Sequence, residues 1–325
     1  MIKVYALYDR WIVTEITPMV KSISLTGSIS QCARKLTGTI TYPIFDRNHD
    51  RTQIRPNTVV WVVDDRGVEI FRGIVFDRQL NSSEELTFNA YDFLIYFTKS
   101  KGSYNFNQIT AEDITRKICS EAEVKVGDIA KTGVKISDIP QNTSFYDIIM
   151  RAYTKARDKT NKCYIPMMNK DQFNLIEKGK LIDGLVLEPN KNIISCNYGD
   201  SMENMINRVK IFDENSNFLT KVENRKNITM YGVLQESVTK DDDGYMDKAK
   251  QMLKDIESNV NIEALGDIRC ITGYAVKAKI WYVSALVDCI LYIDSDTHTF
   301  DLASNQHTMS LTVSLQNKMD LKEGN

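Results

Sequence analysis

Polar and apolar positions alternate with a period of two through much of the first hundred residues, the spacing of strands with one wet and one buried face. In Thr37-Gly-Thr-Ile-Thr-Tyr42, Thr37, Thr39 and Thr41 fall opposite Ile40 and Tyr42. Thr58 to Val63 is apolar on both faces, Asp64-Asp-Arg-Gly67 supplies turn chemistry, and Val68 to Phe76 returns, which predicts a hairpin. Leu86 to Tyr91 adds a strand after the polar turn Asn81 to Glu85. Short strands parted by turn signals predict a sandwich or barrel over residues 1–100.

Between about 101 and 190 the period lengthens to that of helices. Thr110 is placed to cap a helix with Asp113 three residues on and Ala111, Ile114, Ile118 and Ala122 on one face. Ser144 and Asp147 repeat the arrangement before the stripe Phe145, Ile148, Ile149, Ala152, Tyr153 and Ala156. Cys163 to Met168 and Gln172 to Glu177 predict a hairpin that completes an α+β module. From about 191 the strand period resumes at 208–213 and 218–223, is interrupted by a helix at about 245–258, and returns at 274–280 and 290–294. The run Thr308 to Leu315 alternates strictly, with Thr308, Ser310, Thr312 and Ser314 on one face. The fold class is therefore α+β, mainly β: β-domains at 1–100 and 191–325 flank an α+β connector at 101–190.

Composition narrows the class further. With 325 residues, 42% hydrophobic, and 41 basic against 43 acidic side chains, the chain is neither a disordered nor a collagenous sequence, and it lacks the basic excess of a nucleic-acid binder. Six cysteines, at 32, 119, 163, 196, 270 and 289, contain no C-x-x-C and read as free thiols. No signal peptide is expected at the N-terminus, so synthesis is expected in the cytoplasm. The longest apolar stretch, Ile280 to Ile293, is broken by Asp288 and falls short of the roughly 20 residues of a membrane span, so no membrane insertion is expected.

Catalytic and metal motifs are sparse. Gly179-Lys180 is followed by Leu181 rather than Ser or Thr, and no G-x-G-x-x-G, H-E-x-x-H or G-x-S-x-G occurs. Around Asp241-Asp-Asp-Gly244 a calcium loop fails, because its first and twelfth positions would be Thr239 and Lys250. The most suggestive polar group is Ser295-Asp-Thr-His-Thr-Phe300. A Cys289/His298/His307 metal site or an Asp296/His298 dyad can be drawn there, against the plainer reading of a polar β-corner; the remaining histidine, His49, offers no obvious fourth ligand. Carboxylate pairs such as Asp64/Asp65 and Asp294/Asp296 fit an acid/base pair only if folding spaces them correctly. The expectation is no catalytic, cofactor-binding or metal residue, and no cofactor.

Six strings, in order, carry a resemblance: Ser28-Ile-Ser-Gln-Cys-Ala-Arg-Lys-Leu36, Thr110 to Ile118, Phe145 to Thr154, Ser201 to Lys210, Tyr231-Gly-Val-Leu-Gln235 and Ser295 to Phe300. Together they resemble the XkdQ/YqbQ family, baseplate hub proteins of contractile phage tails and of phage-tail-like bacteriocins of Gram-positive bacteria. The resemblance implies a non-enzymatic structural protein of the virion tail baseplate or bacteriocin particle. It implies a homotrimeric ring with two tube-like β-barrel domains per chain, matching a six-fold tail tube above to a three-fold central spike below. A LysM-type baseplate protein, wedge proteins and the tape measure are its further expected partners, and DNA passes through without specific binding. The alternatives are a peptidoglycan-binding tail module built on 101–190 and a metal- or His-dependent hydrolase.

On the hub reading the threonine-faced strands are candidate lumen or inter-subunit surfaces, ordinary solvent exposure being the other possibility. Charge is uneven: residues 1–100 carry +1, 101–190 carry +2 and 191–325 carry −5. A conduit that repels phosphate avoids stalling DNA, so part of this excess, near Asp294, Asp296 and Asp301, is expected to face the channel.

Overall fold

The computed structural model describes residues 2–8, 11–43, 54–240 and 245–322, the side chain of Asp247 excepted. They form two compact units: Met1–Cys196 with Asn261–Asn325, and Asn197–Val260. His49 and the Asp241 to Gly244 cluster lie outside the described residues.

One large sheet organises the first unit. Its strands in sheet order are Ile193–Ser201, Glu257–Leu265, Gln306–Ser314, Cys289–Asp301, Val20–Ser28, Lys35–Thr41, Glu85–Tyr91, Glu69–Leu80, Val59–Val63, Lys3–Tyr8 and Ile12–Glu15. Tyr274–Ala278 pairs with the start of Cys289–Asp301, and Lys180–Leu187 lies parallel beside it.

Within this sheet a four-strand unit occurs twice. Val20–Ser28, Lys35–Thr41, Glu69–Leu80 and Glu85–Tyr91 are first to fourth along the chain but stand first, second, fourth, third in the sheet. Ile193–Ser201, Glu257–Leu265, Cys289–Asp301 and Gln306–Ser314 repeat that order. In both, the third strand is long, 12 and 13 residues, and its register shifts midway, between Val75 and Asp77 and between Ile293 and Ser295. Before the bulge each pairs with an extra strand, Val59–Val63 or Tyr274–Ala278. A bulge bends and twists its strand, which lets one strand serve two partners along its length.

The two repeats join where Cys289–Asp301 runs antiparallel to Val20–Ser28, from Ser295 opposite Ser28 to Asp301 opposite Ser22. Pairing among the described residues thus gives one open sheet and no closed ring, where the sequence pattern suggested separate β-domains. Phe300 shows the consequence: it is buried in the N-terminal core with Ile23, Leu25, Leu36 and Phe88.

The helices form as the caps predict. Thr110 Oγ1 accepts from Asp113 N at the start of Ala111–Glu121, and Ser144 Oγ accepts from Asp147 N at the start of Phe145–Thr160. Asn161, in the left-handed region at φ 55°, ends the second helix. Both bury their stripes with Phe97, Phe173 and Leu175 in a second core, where Met319 from the C-terminal segment also packs.

The second unit is a three-stranded sheet, Phe218–Glu223, Arg208–Phe212 and Gln235–Thr239 in order, with helices Arg225–Tyr231 and Tyr245–Gln251. Its core holds Val209, Ile211 and Ala249. Glu223 accepts from Lys221, Arg208 and Arg225, which hold its carboxyl down at about 2. The inserted helix stops at Gln251 rather than near 258, because Val260, Ile262 and Ala264 alternate with polar residues and are claimed by the strand Glu257–Leu265.

Candidate assembly face and buried seam

The repeated four-strand units share one open face, and it is lined with hydroxyls. Read across the strands, one row is Thr308, Thr299, Ser24, Thr37, Asn89 and Asp77. The neighbouring rows contain Ser310, Thr297 and Thr26 on one side and Ser22, Thr39 and Thr87 on the other. Thr37 Oγ1 donates to Asn89 Oδ1 at 2.8 Å, and Asn89 Nδ2 donates to Asp77 Oδ1 at 2.6 Å, so neighbouring strands are tied by polar cross-strand pairs. Of the charged side chains on it, Lys35, Glu85 and Asp301 stand at the ends of strands and Asp77 past the bulge of its strand, while Glu263 accepts from Ser195 Oγ at 3.0 Å. The threonine-faced strands of the sequence, 37–41 and 308–312, therefore belong to a single surface. Ser314 departs from it: the residue is buried and donates to Gln316 O.

Behind this face, at the junction of the repeats, lies a buried polar seam. Asp296 is 1% exposed and accepts from Arg34 Nη1 and Nη2 at 2.8 and 2.5 Å and from Thr272 N and Oγ1 at 2.7 and 2.6 Å. Burial works against its charge, yet Arg34 beside it holds the carboxyl below the usual carboxylate range. Gly27 makes room for the bond, since a Cβ there would strike the Arg34 guanidinium. Asp92, also buried, accepts from the backbone N–H groups of Arg34 and Leu94, and burial pushes its carboxyl up to about 7.

His298 continues the seam. Its Nε2 lies 3.0 Å from Cys270 O, which can only accept, so Nε2 carries the proton and Nδ1 accepts from His307 Nε2 at 3.1 Å. Burial lowers the proton affinity of both rings, that of His307 to about 4, so the pair is neutral near pH 7. His307 stacks on Phe300 at 4.0 Å and borders a cleft of about 430 Å³. On the rim of that cleft Arg66 is already bound to Asp64 and Arg269 to Asp267.

These positions decide the chemistry drawn from the sequence. The structure brings Asp296 and His298, within one strand, together with His307 of the neighbouring strand rather than at a β-corner, and both ring nitrogens of His298 are already engaged by protein atoms. Cys289 sits nine residues earlier on the same strand, opposite Ala278, roughly 30 Å away at strand rise. Among the described residues no group of three or more His, Cys, Asp or Glu is placed to hold a metal ion. Asp294 is bound to Lys178 at 2.6 Å and Asp296 to Arg34, so of the three acids expected to face a channel only Asp301 lies on the open face. Sequence reasoning did not find Arg34, Gly27 or Thr272 as seam residues. Arg34 lies 262 positions from Asp296, and no local periodicity reports such a pair.

Comparison with known proteins agrees with this architecture. The chain is 29% identical over 332 residues, covering 98% of both chains, to the phage-like element PBSX protein XkdQ of Bacillus subtilis. Its fold is shared with the 43 kDa tail protein of prophage MuSo2 from Shewanella oneidensis, at TM-score 0.72, 13% identity, and 96% and 98% coverage of the two chains. It is shared too with the E. coli c3393 protein, a type VI secretion component described as structurally similar to the T4 tail proteins gp27 and gp5, at TM-score 0.56, 9% identity, and 94% and 76% coverage. Residues 23–314 match the YQBQ-like family model, and the chain belongs to the YQBQ-like family.

Proposed function

We propose that this chain is the hub of a contractile-tail baseplate: a homotrimer that joins the tail tube to the central spike and lines the channel between them. The single observation that carries the reading is the repeated four-strand unit, two per chain in one continuous sheet with one shared polar face. Three such chains offer six equivalent units, the number needed to meet a six-fold tube from a three-fold spike. In this assignment 1–100 and 191–325 are the tube-like domains and 101–190 is the connector at the periphery. The names of its structural neighbours, phage tail proteins and a type VI component likened to gp27 and gp5, support the same setting, and particles of either kind, virion or bacteriocin, fit it.

The hydroxyl face suits a lining. Lysine and arginine clusters would neutralise phosphates and hold DNA in place, whereas rows of Ser and Thr offer wetting without counter-ion exchange. The fit to a passage comes from the hydroxyl and amide groups that fill these rows rather than from a ring of acids. No step in this function asks for catalysis.

Native mass spectrometry of the full chain tests the assignment. A trimer, stabilised by addition of the cognate spike protein, is expected; a monomer that ignores both spike and tube proteins would overturn it.

A further inference from the structure

The cleft bordered by His307 is built from both repeats and opens on the reverse of the hydroxyl face, the side to which Phe300 and His307 turn. Asp64 to Arg66, in the turn between Val59–Val63 and Glu69–Leu80, supply one wall. Gly266 to Arg269, directly after Glu257–Leu265, supply another, and the hairpin between Cys289–Asp301 and Gln306–Ser314 supplies the third. Ile70, Ile268 and Leu302, each half-buried against the N-terminal core, make part of its lining apolar. A volume of about 430 Å³ suits a long side chain or a small molecule.

Its polar groups divide into those already used and those left over. Arg66 gives Nε and Nη2 to Asp64 Oδ2 at 2.9 and 2.7 Å, and Arg269 gives Nε and Nη2 to Asp267 at 2.9 and 2.6 Å. Each of these pairs is neutral within itself. Asp65 and Asp301, the last residue of its strand, are exposed and form no ion pair among the described residues, so the lining is net negative.

His307 adds an acceptor whose orientation is fixed from behind. With the protons ordered as His298 Nε2–H to Cys270 O and His307 Nε2–H to His298 Nδ1, His307 Nδ1 is left unprotonated. That nitrogen has no partner among the described residues and is not closed off from solvent, so it opens on the cleft that His307 lines. Phe300 stacks on the ring, and a Cβ at Gly266 would strike it, so the ring is held in place.

A fixed acceptor nitrogen, two unpaired carboxylates and an apolar lining match a positively charged donor at the end of an aliphatic stem. We propose that this cleft is a docking socket for a lysine or arginine side chain of a partner polypeptide, with its stem against Ile70, Ile268 and Leu302 and its head donating to His307 Nδ1 and Asp65. An acidic ligand would meet Asp65, Asp301 and an imidazole edge with no proton to give, while both guanidiniums on the rim are bound to Asp64 and Asp267. The socket lies away from the hydroxyl face, so it adds a contact to the hub reading without depending on it.

Proton nuclear magnetic resonance of the full chain tests the socket, because three histidines give three Cε1–H resonances. His307 is identified by the resonance lost in His307→Gln, or in His307→Phe if the first variant does not fold. N-acetyl-arginine methylamide should shift that resonance saturably, with half-saturation at about millimolar concentration. Its neutral citrulline and acidic glutamate analogues should need about fivefold more or worse. Asp65→Asn combined with Asp301→Asn, whose amide oxygen at 301 still accepts from Ala303 N and Ser304 N, should weaken the arginine probe roughly tenfold at low salt and leave the urea midpoint in place. A His307 resonance that the arginine probe does not move, that either analogue moves at the same concentration, or that responds fully in the double variant overturns the proposal.

Discussion

Replacing Asp296 with alanine removes the acceptor for four hydrogen bonds and leaves the Arg34 guanidinium, whose side chain is only 19% exposed, without its counter-charge. Breaking one partner out of a buried pair costs about 3–5 kcal/mol, because the surviving charge stays desolvated. In a unit of this size each kcal/mol moves the melting temperature by roughly 2–4 °C, so a fall of roughly 6–20 °C is expected. Urea titration followed by tryptophan fluorescence reads the free-energy loss directly. Trp61 stacks on Tyr5 at 5.5 Å, whereas Trp11 and Trp281 are 86% and 72% exposed in the folded chain and report little. The comparison that isolates the cause is Arg34→Met with Asp296→Leu. Removing both charges should recover most of the loss and leave about 1–3 kcal/mol for the unsatisfied Thr272 groups. Asp296→Ala within about 1 kcal/mol of wild type, or a double variant as unstable as the two single changes combined, refutes the seam as a charge-paired junction.

Three further outcomes follow from the same residues. His298 and His307 are held below their ordinary proton affinity, so below about pH 6.5 the unfolded chain binds protons that the folded chain refuses, and stability falls as pH drops toward 4. For His307 the loss from about pH 7 to about pH 5 is about 1 kcal/mol after allowing for screening at its part-exposed ring, and it should vanish from urea midpoints of His307→Phe. Asp92 has the opposite sign: its raised carboxyl favours the folded state at low pH, and that contribution is lost as pH rises through about 7, so Asp92→Asn should gain on wild type between about pH 4 and pH 8 in thermal melts. Gly27→Ala places a Cβ on the Arg34 guanidinium and 3.0 Å from Asp296 Oδ1, and should cost roughly 1–3 kcal/mol in the same denaturation assay, with a smaller effect expected once Arg34 is already Met.

Much of the local structure was legible because it is written in short-range pattern. The caps at Thr110 and Ser144, the hairpin around Asp64 to Gly67 and the strands at 37–41 and 86–91 each depend on residues within one turn or one alternation, and each is found within a residue or two of its expected place. Lys3–Tyr8 and Val20–Ser28 are strands beyond those expected, although Val20–Ser28 alternates. The order of strands was not legible at all. A period of two says which face is wet but not which strand lies alongside, and the pairing of Ser295–Asp301 with Ser22–Ser28 spans most of the chain. The same limit explains the acids. Asp294 and Asp296 look like free carboxylates in a chain segment of net charge −5, yet their partners, Lys178 and Arg34, come from distant segments, and pairing turns a supposed channel charge into a structural one. The polarity of the run 295–300 serves the seam on one side and the hydroxyl face on the other.

The central claim is that the hydroxyl rows line a channel through a three-fold ring. Cryo-electron microscopy of intact tails carrying this chain measures it most directly. The account predicts three copies around the axis, with Thr37, Ser24, Thr299 and Thr308 facing the lumen. A ring in which that row faces outward, or a lumen lined by Lys and Arg, would contradict it.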